Sequence, residues 1–194
     1  MKDSATFVFS RAPHRRAARR VLRKMPPLAG DAIRIHSHPG LRDRRGPVHA
    51  GAFLRQRRIA CDCTTAEFPR IFAHEVAHFI WLRLGNPRRR AWETLLRSEF
   101  RSCAPGELGW SAEWRKDGLL QQNASKTGKG SRPSNAVARR TRRWREYCCE
   151  AFCDTAAWMW SGVRRHAEFT LAANLREARR KWFDRHLTGR CLPL

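Results

Sequence analysis

Histidine, glutamate and histidine stand at positions 74, 75 and 78, inside the run Arg70-Ile71-Phe72-Ala73-His74-Glu75-Val76-Ala77-His78-Phe79-Ile80-Trp81. On a helix of about 3.6 residues per turn, the two imidazoles project from one face, one turn apart. Two neutral imidazoles at that spacing suit a single zinc ion, and a neighbouring glutamate can take a proton from a metal-bound water. The flanking Ile71, Phe72, Val76, Ala77, Phe79 and Ile80 describe a buried helix. Polar groups in such a place are costly without a partner, and a metal would serve as one. His74 and His78 are therefore the expected metal ligands and Glu75 the expected catalytic base.

A catalytic zinc site has three protein ligands and an open position. The third is expected from a later helix around Arg143–Trp158, where Glu146, Glu150 and Asp154 recur every four residues on one face. Spacing by four places a ligand and its supporter on successive turns, the supporter accepting a hydrogen bond from a liganding imidazole. Two assignments satisfy that logic. Either Glu146 binds and Glu150 supports it, or Glu150 binds and Asp154 does.

These residues resemble the gluzincin metallopeptidases, in which His-Glu-x-x-His is followed by Glu-x-x-x-Glu/Asp on a later helix. Glu146-Tyr147-Cys148-Cys149-Glu150-Ala151-Phe152 is similar to the corresponding segment of the anthrax lethal factor type and of phage-related regulatory metallopeptidases. That resemblance implies Glu146 as the third ligand. The thermolysin-like pattern instead matches Glu150-Ala151-Phe152-Cys153-Asp154, with Glu150 as ligand. The resemblance covers two short helices. It implies an α+β, zincin-like single domain: a small N-terminal β-sheet packed on the active-site helix, followed by further helices. The implied activity is zinc-dependent hydrolysis of a protein or peptide substrate, as an endopeptidase rather than an exopeptidase. Tyr147 and His166 are weak candidates for stabilising the transition state, and a structural role is expected for both.

The elements that must position this site are legible in outline. Thr6–Phe9 reads as a first strand, and Pro13 opens a basic helix over about His14–Lys24 whose inner stripe is Ala17, Ala18, Val21 and Leu22. Ala32–His36 alternates as a second strand. His36 and His38 form a His-x-His pair, but the Pro39-Gly40 that follows favours a strand exit over a metal site. Ala52–Leu54 and Arg58–Cys61 look like a hairpin, beside which an extended peptide could pair. Thr64 and Glu67 offer a capping box for the histidine helix, which should end near Gly85. The next helix, about Arg88–Phe100, should bury Trp92, Leu95, Leu96 and Phe100. Trp110 and Trp114 fall in a glycine-containing stretch read as irregular and close to the core. The polar stretch at about 120–136 reads as a mobile loop within one domain spanning 1–194. A last amphipathic helix is expected over about Arg165–His186.

The 194 residues are 42% hydrophobic, with eight Trp and ten Phe, enough for a folded core. No apolar run approaches the roughly 20 residues of a bilayer span, and the N-terminal apolar segment is too short for a secretory signal. The expectation is a cytoplasmic protein without a membrane partner. Most of the seven cysteines in that setting read as small buried thiols, and the set is not a disulfide framework. The net charge of +23 sets up the rival reading. In it the chain is a basic nucleic-acid-associated protein: a protease acting on DNA-bound proteins, or a binding module with a structural or inactive zinc site. The arginines are scattered, so non-specific polyanion affinity follows from charge alone.

Overall fold

Phe7, Phe9, Ile33, Ile35 and Ile59 sit at alternate positions of short β-prone runs, and this alternation builds the sheet that opens the chain. A computed structural model describes residues 6–43, 46–126 and 140–194. It is α+β, and forms two compact units: Met1–Leu84 with Ala156–Arg164 and Leu187–Leu194, and Gly85–Thr155 with Arg165–His186. Among the described residues, no helix is long and apolar enough to cross a membrane.

In the first unit the strands β1 (Phe7–Phe9), β2 (Leu28–Ala29), β3 (Ile33–Ser37), β4 (Arg42–Asp43), β5 (Gly46–Pro47), β6 (Ala50–Phe53), β7 (Arg58–Cys61) and β8 (Leu192–Pro193) form three sheets. The main sheet has the order β1-β3-β7-β6. Its first three strands run parallel, and β6 returns antiparallel along β7 as the expected hairpin. The turn of that hairpin places Arg57 at φ 49°, and its guanidinium donates to the Leu194 carbonyl at 3.0 Å and to the carbonyl of Asp31. The small sheets pair β2 with β8 and β4 with β5.

Helix α1 (Ala12–Leu22) starts at Ala12 and ends at Leu22, each two residues before the expected bound, and buries His14, Ala17, Ala18 and Val21. His14 lies flat on Phe68, ring centroids 4.1 Å apart. Burial holds its imidazole below the usual histidine range, with Arg11 adding to the effect. Helix α2 (Phe68–Arg83) carries Phe72 against Phe7 and Phe9 of the sheet. The Thr64 hydroxyl accepts the Glu67 N–H at 3.3 Å, one half of the anticipated capping box. Gly85, at φ +79°, lies just beyond the end of α2.

In the second unit α3 (Asn86–Arg101) buries Trp92, Leu96 and Phe100, while Leu95 is half-buried. Helix α4 (Trp110–Lys126) corrects the sequence reading. Trp110 and Trp114 are not irregular core residues but one turn apart on a helix, 47% and 62% exposed and stacked on each other. Ala112, Lys116 and Leu119 form the buried stripe on the opposite side. Leu120–Lys126 is helical too; the remainder of the expected loop lies outside the described residues.

Helix α5 (Arg142–Trp160) brings Trp144, Tyr147 and Phe152 into the ring cluster of this unit. The last helix, α6 (Ala173–His186), is shorter than the sequence suggests. Arg165–Ala172 cannot be helical because its amides are committed elsewhere: Thr170 and Leu171 both donate to the Glu107 carbonyl at 2.9 Å. The Thr170 hydroxyl accepts the Glu107 N–H at 2.9 Å in return.

Candidate metal centre

The central part of α2 is buried, with Phe72, Ala73, Val76, Ala77 and Phe79 fully covered, while its last residues, Leu82 and Arg83, are exposed. His74 and His78 are half-buried exceptions, both on the face that the one-turn spacing demands. Their Nε2 atoms are 3.2 Å apart, and the rings meet at 74° with centroids 4.9 Å apart. Two ligands about 2.05 Å from a tetrahedral zinc stand roughly 3.3 Å from each other. The spacing of the two nitrogens therefore fits a shared metal as well as it fits a single shared proton. A pair of imidazoles with converging nitrogens is a possible metal-binding group, and it selects no particular metal.

Glu75, between the two histidines in sequence, is buried at 7% exposure. In the same unit its carboxylate lies near the Cys61 thiol, which ends β7. The Cys61 thiol is pushed up, first by its hydrogen bond with Cys63, then by burial and by the charges of Cys63 and Glu75. The same hydrogen bond lowers the Cys63 thiol. The sequence shows Cys61 and Cys63 as a Cys-x-Cys pair, but nothing in that spacing announces proximity to Glu75.

The acids expected to supply the third ligand occupy different surroundings on α5. Glu146 is 45% exposed and accepts from Arg142, one turn earlier, at 2.8 Å. Glu150 is 13% exposed and pairs with Arg115 of α4 at 3.0 Å. Asp154 is buried, and its Oδ2 accepts the Ala112 N–H at 3.0 Å. That contact caps α4 from another helix, with Glu168 accepting the Trp110 N–H at 3.1 Å. Gly109 is required beside it, because a Cβ there would lie 2.3 Å from the Asp154 carboxyl carbon. Asp154→Ala is expected to destabilise the protein by about 1–2 kcal/mol, the cost of losing an N-cap, measured by urea unfolding. A change below the scatter of the measurement would deny the cap its weight.

The remaining sequence candidates take structural places. His36 and His38 are exposed, and the His38 N–H continues the strand pairing by donating to the Cys61 carbonyl at 2.8 Å. Tyr147 is fully buried and donates to Glu107 Oε1 at 2.6 Å. Burial and the Glu107 charge push its phenol well up. His166 Nδ1 accepts the Glu168 N–H at 3.2 Å.

The residues that sequence reasoning missed form a buried charged cluster in the second unit. Arg179, fully covered, forks onto Glu99 at 2.6 Å and Glu107 at 2.8 Å. Lys116 reaches Glu107 at 3.3 Å. Burial alone would raise the Glu107 carboxyl, but Arg179, Lys116 and the Tyr147 hydroxyl hold it below the ordinary carboxylate range.

The chain matches no known protein family, no curated protein and no solved structure.

Proposed function

We propose that this protein is a zinc-dependent peptidase whose metal is held by His74, His78 and a third donor from α5. The observation that carries the reading is the 3.2 Å approach of the two Nε2 atoms on a helix otherwise packed with apolar side chains. The candidates for the third donor are Glu146 and Glu150, the acids that the sequence pattern offers. Glu150 has the lower exposure of the two glutamates, and each already pairs with an arginine, Glu150 with Arg115 and Glu146 with Arg142. A His-His-Glu donor set is chemically sound for zinc, which takes imidazole and carboxylate together.

Zinc held there supplies a Lewis acid and a water whose pKa falls to about 7. The Glu75 carboxylate accepts the proton of the attacking water and returns it to the leaving amine nitrogen. The edge strand β6 offers unpaired main-chain groups on one side, where an extended peptide can add as a further strand.

Elemental mass spectrometry of purified protein tests the ligand set. Wild type is expected to hold close to one zinc per chain, and His74→Ala and His78→Ala to lose it. Of Glu146→Ala and Glu150→Ala, the variant that loses zinc while keeping wild-type circular dichroism identifies the third donor. No zinc in the wild type after reconstitution would overturn the proposal.

A further inference from the structure

Helix α1 divides into two faces by the period of its sequence. His14, Ala17, Ala18 and Val21 are all buried, and Arg15, Arg16, Arg19, Arg20 and Arg23 are all exposed on the other side. The helix contains no acidic residue. Among the described residues, none of these five arginines has a carboxylate within ion-pair range. Some exposed arginines on other helices are matched, Arg142 by Glu146 and Arg180 by Glu177, and those without such a partner do not line up as a row of five on one face. The excess charge of the chain is scattered in sequence, yet on this face it is concentrated and unneutralised.

From this geometry we infer that the outer face of α1 is a docking surface for the phosphate backbone of duplex nucleic acid. From Arg15 to Arg23 the helix rises about 12 Å, so its cations follow one another at about 3 Å along the axis. A duplex carries one negative charge per 1.7 Å or so of its axis, a density high enough for this short row of cations to meet several phosphates at once. Arginine also suits the partner, since its planar fork grips phosphate through two donors. An anionic membrane is a poorer occupant. Surface helices that bind membranes insert an apolar face, and that face of α1 is buried inside its own unit. The contact reads backbone and not base edges, so it is independent of sequence. It does not depend on the metal site.

The test is fluorescence anisotropy with a labelled duplex of mixed sequence, titrated across a range of salt concentrations. The first variant is Arg15→Gln/Arg16→Gln/Arg19→Gln/Arg20→Gln, which keeps helix propensity and touches no buried group. A control variant, Arg90→Gln/Arg101→Gln/Arg143→Gln/Arg145→Gln, removes the same charge from exposed sites on other helices. The α1 variant is expected to bind roughly tenfold or more weakly near 0.1 M salt. Its slope of log affinity against log salt should be shallower by about 3 to 4, one unit for each lost phosphate contact. The control should change both quantities far less. Equal losses in the two variants would overturn the inference, as would a wild type that does not bind duplex. Phosphatidylserine vesicles provide the last arm: binding to them that depends on α1, without α1-dependent duplex binding, would also overturn it.

Discussion

Replacing Arg179 with methionine is expected to destabilise the protein by about 3–5 kcal/mol at pH 7, as removal of one partner from a buried ion cluster generally does. The side chain is fully covered and lies within hydrogen-bond distance of both Glu99 and Glu107. Methionine fills most of the volume but takes the guanidinium from both buried carboxylates, and the contacts of Lys116 and Tyr147 are with Glu107. The penalty comes from those abandoned charges more than from the lost attraction. Its pH dependence follows from the carboxylates. Glu107 is held below its unfolded value of 4.5, so its charge stabilises the wild type above that pH. The contribution is lost as pH falls through the folded-state value. Without Arg179, burial pushes the same carboxyl upward, and it takes up its proton at a higher pH. The gap between variant and wild type should therefore be widest near neutrality and shrink in acid. Urea unfolding at pH 7 and at acidic pH measures both. A loss under about 1 kcal/mol at neutral pH, or a gap that widens in acid, would contradict the argument.

Replacing Glu75 with glutamine is expected to cost a factor of about 10² to 10⁴ in peptide hydrolysis while leaving bound metal unchanged. Glutamine keeps the shape of the side chain within the packed face of α2 but cannot accept the proton of the attacking water. The assay is fragment formation from an unfolded protein substrate, run beside elemental analysis of the same preparation. Hydrolysis that persists in the metal-loaded variant would remove Glu75 from the chemistry. Loss of metal would assign the carboxylate to holding the ligand helix instead.

Much of the site-bearing sheet and helix could be read from local signals. The hairpin of β6 and β7, the Thr64 cap, the glycine after α2 and the one-turn spacing of His74 and His78 each depend on residues close together in sequence. Helix α4 could not be read in that way. Its first amides are held by Asp154 and Glu168, far along the chain, so the usual start signal is missing where the helix begins. The same Asp154 looked like a supporter of the metal because its four-residue spacing from Glu150 was visible and its partner Ala112 was not. Arg179 was hidden for a different reason. In a chain with 40 lysines and arginines, nothing local separates the one guanidinium at the centre of a core from the many in solvent. The residues 165–172 have helical periodicity, but tertiary hydrogen bonds to Glu107 outweigh it.

The strand β8 gives the first unit a particular order of assembly. Its neighbour β2 and the turn residue Arg57 lie near the start of the chain, and Arg57 meets Leu194 across a separation of 137 positions. During synthesis the sheet and α2 emerge early and must wait, with the β2 edge open, until the whole of the second unit has been translated. Closing so long a loop is entropically unfavourable and tends to come late and slowly in folding. The histidine helix thus belongs to a body whose clasp is fastened only after the second unit has been made.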